Sequence, residues 1–347
     1  MKRIKLLEVF VFLGFFLFSS AGLAQEIFTG DLVKVEALIY GESQGGAVLE
    51  RLNRVENMLF GRTLPGTVVE RQKRLIEFVF EGVEGEYPLA FKIASLEWFV
   101  LREVISGPLA SRIDKLEEMV LGQKRGDKPM AWRVENLIKI CISTGEIKME
   151  EVNLPKGQLI KVSLLTPMDS RQNKAGDVVK VKVLEDLIYN GILVVPKGAT
   201  GVGEIIKVER AGAFGKAGKI DVKFKYVESL VGKEIPVYVG ERAAEETKKE
   251  VEGRAWAAIT SFVGLGVFGP IGLVAGAFVH GEEAKIAAGT KFYLEVSEDI
   301  RIKGLLTDKV QKEENKRVEE VEPEVDEEPD NKEKSKTKEK PESKKIK

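Results

Sequence analysis

The chain is poor in the residues that most enzymes and metal proteins use for chemistry. Cys141 is the only cysteine among 347 residues, so an intramolecular disulfide and a thiolate metal cluster are both excluded. His280 is the only histidine. Ser–His–Asp or Cys–His catalysis could run only through that residue, and a zinc site built from several histidines is impossible. Charge of one sign is also missing: 54 basic and 55 acidic side chains leave a formal net charge of −1. Nothing global therefore argues for nucleic acid as a partner.

What is present begins with an export address. Lys2, Arg3 and Lys5 precede an apolar stretch over residues 6–18 broken only by Glu8 and Gly14, and small residues at the −3 and −1 positions, Gly22 and Ala24, suit cleavage before Gln25. Residues 1–24 thus read as a Sec-type signal peptide, placing the protein in the periplasm or at the outer membrane. No cysteine lies near the cleavage point, which argues against a lipid-anchored lipoprotein. At the other end, residues 306–347 are rich in charge, acidic around Glu319–Glu328 and basic from Lys332 onward. Such a tail cannot bury enough apolar surface to offset chain entropy and is expected to be disordered.

Between residues 28 and 146 a unit of roughly twenty residues recurs six times. Its mark is an apolar residue followed by glutamate: Val35-Glu36, Val55-Glu56, Ile76-Glu77, Leu96-Glu97, Leu116-Glu117 and Val134-Glu135. A glycine follows five residues after four of these glutamates, at Gly41, Gly61, Gly82 and Gly122, as suits the left-handed residue that ends a helix. In residues 109–122, Leu109, Ile113, Leu116, Met119 and Val120 fall on one helical stripe. One short helix per unit follows, each too short to stand alone and therefore stacked on its neighbours. The glutamates are expected on the solvent side, paired with a nearby Lys or Arg for tenths of a kcal/mol each.

After Gly145 the period changes to two. Val179, Val181 and Val183 interleave with lysines, as do Ile220, Val222, Phe224 and Tyr226 with charged residues. Asn190-Gly191 sits between two apolar runs as a hairpin signal. Residues 150–305 are therefore expected to form a small β-barrel or sandwich. The fold class is α+β multidomain, with α-helical repeats followed by a small β-barrel carrying a Gly-rich helical insert over 242–281.

Leu154-Pro155-Lys156-Gly157 before a strand, Gly176-Asp177, Val195-Pro196-Lys197-Gly198-Ala199, Gly201-Val202-Gly203-Glu204 and Ala288-Gly289-Thr290 before a last strand occur in that order. Over residues 153–303 this series resembles the C-terminal domain of the TrbI-type conjugal-transfer family. The resemblance implies a β-barrel that oligomerises into a ring of a type IV secretion channel, with a helical insert contributing to an outer-membrane pore. The helical repeats and cleavable-looking signal differ from that family's usual membrane anchor and proline-rich linker. A free-standing envelope protein using the same barrel is the narrower expectation.

The insert contains 25 consecutive uncharged residues, 255–279. A straight helix of that length would reach about 37 Å, enough for a hydrocarbon core of about 30 Å. Pro270 beside Gly269 breaks it into pieces of roughly 14 and 9 residues. Gly264, Gly266, Gly269, Gly272 and Gly276 permit close helix contact, the last two in GxxxG spacing. Trp256 and His280 bracket the run as interface residues. Membrane contact is the leading reading, and a buried hairpin covering the barrel is the alternative.

Other apparent motifs dissolve. Residues 212–218 lack the Gly-Lys-Ser/Thr of a phosphate loop and lead into a strand. Asp169, Asp177, Glu185 and Asp186 follow no calcium-loop spacing. Without a nucleophile–base pair, the expectation is a non-enzymatic channel or scaffold with no cofactor and no metal. Its partners would be other copies of itself, an envelope protein, or both. The alternative is a soluble interaction module whose helical repeats bind a partner.

Overall fold

A computed structural model of the chain describes residues 30–307, apart from 84, 143–144, 214–216 and 251–282. Residues 1–24, expected to be a signal peptide, residues 308–347 and the uncharged run 255–279 lie outside the described residues. Helices fill the first part: α1 over 30–40, α2 Val48–Phe60, α3 Val68–Ile76, α4 Leu89–Leu101, α5 Leu109–Leu121 and α6 Met130–Cys141. There is one per sequence unit. α3 passes into a π-helical turn, Glu77–Glu81. Pro88, Pro108 and Pro129 sit at the N-caps of α4, α5 and α6, where a missing N–H costs nothing.

Gly61 and Gly122 end α2 and α5 in the left-handed region, with φ of 71° and 72°. Arg102 occupies the equivalent place after α4 and adopts φ 57° without being glycine. Its guanidinium lies 4.6 Å from the centre of the Trp98 ring, a cation–π contact that offsets part of the backbone cost.

Four of the six repeating glutamates overturn the expected surface role. Glu36, Glu56, Glu97 and Glu117 are at most 1% exposed. Each receives two hydrogen bonds from an arginine of the next unit, Arg51, Arg71, Arg112 or Arg133. Each also accepts the main-chain N–H of the residue eight positions on: Gln44, Leu64, Ile105 and Arg125, at 2.7–3.1 Å. A carboxylate with three charge-matched or main-chain donors can leave water. The stripe of α5 tilts accordingly: Glu117 is buried while Met119, on the opposite flank, is 55% exposed. Glu77 and Glu135 depart from the rule. Glu77 lies 3.5 Å from Lys73 on its own helix, and Glu135 lies 2.6 Å from Lys92.

Among the described residues twelve strands follow. β2 (Leu159–Leu164), β4 (Val178–Val183), β7 (Thr200–Glu209), β8 (Lys219–Glu228), β9 (Glu234–Tyr238) and β11 (Lys291–Val296) close a six-stranded barrel in the order β11-β2-β4-β7-β8-β9. Alternation places Ile160, Val162, Leu164, Val179, Val181, Val183, Phe224 and Phe292 in its core. A second sheet takes the order β1-β12-β6-β5, from Met149–Leu154, Ile300–Leu306, Ile192–Val195 and Leu187–Tyr189. Asn190 and Gly191 both have positive φ, 50° and 75°, the geometry of a type I′ hairpin. The architecture is α+β, with helices preceding a closed barrel.

The helices rest on the second sheet. Leu193 of β6, Leu305 of β12 and Leu230 share one buried cluster with the leucines and isoleucines of α2, α4, α5 and α6. Helices and barrel accordingly belong to one compact unit.

Candidate functional site: the root of the apolar insert

Trp256, Gly264, Gly266, Gly269, Pro270, Gly272, Gly276 and His280 all lie outside the described residues. What the structure does describe is how the segment bearing them is rooted on both sides. On the leading side is α7, Glu241–Glu250, a charged helix on the outer face of β11. Its first turn is capped from the barrel: the carboxylate of Glu295, 4% exposed on β11, accepts the Ala243 N–H at 2.7 Å and the Tyr238 hydroxyl at 3.1 Å. A carboxylate there meets the positive end of the helix dipole. A Cβ at Gly240 would push that carboxylate from its present position.

Further along, the Thr247 hydroxyl accepts the Tyr293 N–H at 3.0 Å and donates to Ala243 at 2.6 Å. At the far end Lys161 of β2 bridges Glu250 at 2.6 Å and Glu185 at 2.9 Å. The Glu250 carboxylate holds the Lys161 ammonium well above its ordinary pKa, with Glu185 adding to the effect. In return Lys161 pulls the Glu250 carboxyl below the usual carboxylate range.

On the trailing side Glu283 anchors the returning chain. It accepts the hydroxyl of the fully buried Ser170, the Ala211 N–H at 3.1 Å and Arg171 Nε at 3.2 Å. These donors lower its pKa, the Ser170 hydroxyl foremost. Ala284 exchanges main-chain and side-chain bonds with Ser170, and β10 (Lys285–Ile286) pairs with β3 (Met168–Asp169). α7 passes Glu295 first and Tyr293 next, so it runs toward the start of β11, which lies opposite the end of β2. β3 follows directly from that end. Both roots therefore stand at one end of the barrel.

The remaining candidate groups have local tasks. Asp177 accepts from Asn173 and Lys174, Glu185 pairs with Lys161, and Asp186 bonds the Trp98 indole N–H at 2.8 Å and the Lys197 N–H at 2.6 Å. Residues 212–218 join β7 to β8, with Ala211 and Gly218 against Glu283 and Ser170. Trp98 is buried in the helix–barrel junction, whereas Trp132 is 43% exposed beside Arg125.

Several of these residues had escaped sequence reasoning. The clamp arginines carry a readable signal, because Arg51, Arg71, Arg112 and Arg133 recur with the repeat. Lys161, Ser170, Glu283 and Glu295 carry none: each contact joins elements far apart in the chain. No described protein family and no curated protein matches the sequence. Among solved structures it is similar to ComB10 of the Com type IV secretion system of Helicobacter pylori, at 16% identity over 43% of this chain and 90% of that one. The TM-score is 0.25, and the barrel rests on its own strand pairing instead. No helix among the described residues is long and apolar enough to cross a membrane.

Proposed function

We propose that this is an exported, non-enzymatic scaffold or channel component of the bacterial envelope. In this reading its β-domain oligomerises, and residues 255–279 contact the membrane. One observation carries the reading: both flanks of the uncharged run are tied by charged and buried contacts to one end of a closed barrel. Rooting both flanks of an apolar segment at one barrel rim suits a membrane contact at that end. Residues Trp256, Gly264, Gly266, Gly269, Pro270, Gly272, Gly276 and His280 would form the contacting element. The junction joining Trp98 to Asp186 supports a rigid connection between the barrel and a repeat array suited to holding a partner.

The test is fractionation of the full chain beside a variant lacking residues 255–279. Wild type should require detergent for extraction and run as a large assembly, and the deletion should be released by carbonate. If both are soluble at monomer size, the membrane-scaffold reading is wrong and the interaction-module reading replaces it.

A further inference from the structure

Where the helical repeat departs from its own rule, it leaves a cleft. Fifteen residues after Glu77 stands Lys92 instead of an arginine, and it turns to Glu86 and Glu135, 2.6 Å from each. The chain between loosens into the π-helical turn and a tight turn closed by Val83 and Glu86. This segment and residues 145–151 line an open cleft of about 1150 Å³.

The second lining stretch includes the start of β1, the end strand of its sheet, with β12 on one side and no described strand on the other. Register decides which of its main-chain groups face outward. Leu306 N–H donates to the Lys148 carbonyl at 3.0 Å, in the same register that sets Met149 opposite Leu305. Bonded and non-bonded pairs alternate along an antiparallel ladder. Glu150 and Val152 therefore bond to β12, while the N–H and C=O of Met149 and Glu151 point away from it. An added strand would lie about 4.8 Å from β1, on the side that the open cleft borders. The lining carries six carboxylates against three lysines. Lys92 holds Glu86 and Glu135, and Arg301 pairs with Glu151, which leaves a smaller net negative charge that still favours a cationic occupant.

We propose that β1 receives an extended, lysine-rich segment of a partner protein as an added strand, the main chains pairing at Met149 and Glu151 and the lysines meeting Glu81 and Glu150. Strand addition of this kind draws affinity from main-chain bonds and specificity from side chains. This surface shares no residue with the described roots of the insert, so its fate does not decide the membrane reading.

The probe is a fluorescein-labelled octapeptide alternating lysine and valine, titrated against the full-length protein by fluorescence anisotropy. Glu151→Pro deletes an outward main-chain donor and leaves the main-chain bonds to β12 in place. Glu151→Ala, which loses the same 2.6 Å ion pair to Arg301 of β12 but keeps the donor, is the control and should bind like wild type. Glu151→Pro should weaken binding at least about tenfold, or 1.4 kcal/mol, with an unchanged circular dichroism spectrum. Glu81→Lys with Glu150→Lys should weaken binding and flatten its salt dependence. Should Glu151→Pro fail to fold, a peptide N-methylated at alternate residues removes the same bonds from the ligand side and should not bind. Equal binding by folded Glu151→Pro, by the N-methylated peptide or by a serine–valine peptide overturns the proposal. So does a wild-type dimer abolished by Glu151→Pro, which would assign the edge to a second copy.

Discussion

Trp98 and Asp186, 88 residues apart, join the helical array to the barrel through one indole N–H to carboxylate bond of 2.8 Å. Around it the Val104 N–H donates to the Lys197 carbonyl at 2.8 Å, and Glu103 stands 3.7 Å from both Lys182 and Lys197. A Cβ at Gly198 would strike the Val104 carbonyl oxygen, so this close approach of two backbones depends on glycine.

Asp186→Ala leaves the buried Trp98 indole and the Lys197 N–H without their acceptor. We expect a loss of about 1–3 kcal/mol, read as a lower midpoint in denaturant unfolding followed by tryptophan fluorescence. Asp186→Asn, which keeps an acceptor oxygen, should lose less. A midpoint unmoved by Asp186→Ala would remove this bond from the junction.

Arg112→Ala leaves the Glu97 carboxylate buried with only the Ile105 N–H as donor. Breaking one side of such a pair costs about 3–5 kcal/mol, whereas Lys34→Ala, which cuts the exposed pair with Asp31, should cost under about 1 kcal/mol. The double variant Glu97→Gln/Arg112→Met should recover part of the loss, since it removes both charges together. Equal effects from Arg112→Ala and Lys34→Ala in thermal unfolding would contradict the buried clamp.

The Lys161–Glu250 bridge sets a pH window for docking of α7. Glu250 titrates below its ordinary value in the folded protein. Its contribution is therefore full above the unfolded value of about 4.3 and fades as pH falls through the lower folded pKa. Lys161 titrates above its ordinary value. Its contribution is full below about 10.4 and fades only as pH rises through the higher folded pKa. Amide exchange over 243–250, corrected for intrinsic rates, should be flat between about pH 5 and 10 and accelerate below pH 4. Lys161→Met should abolish that acid step; an unchanged step in the variant would assign it elsewhere.

How much of this was legible in the chain differs by element. The helix count, the glycine ends at Gly61 and Gly122, the Asn190-Gly191 hairpin and the buried faces of β2 and β11 all depend on residues within a few positions of each other. Local propensity and hydrophobic period carry that information. Glu36, Glu56, Glu97 and Glu117 leave the expected surface role for a related reason: a residue's own helix offers a base nearby, and nothing local distinguishes that base from an arginine fifteen or sixteen residues on. Only the stacking of successive helices brings the second within hydrogen-bond reach and excludes water from the pair.

The sequence by itself determined the period of the repeat, the switch from helix to strand after Gly145 and the uncharged run at 255–279, because each is a one-dimensional pattern. Closure of the barrel, the seating of the helices on Leu193, Leu230 and Leu305, and the clamps at Lys161, Glu283 and Glu295 were decided by tertiary structure alone. Those features need groups separated by tens to more than a hundred residues to meet at a few ångströms. Such meetings are set by strand register and helix packing, which no local pattern encodes.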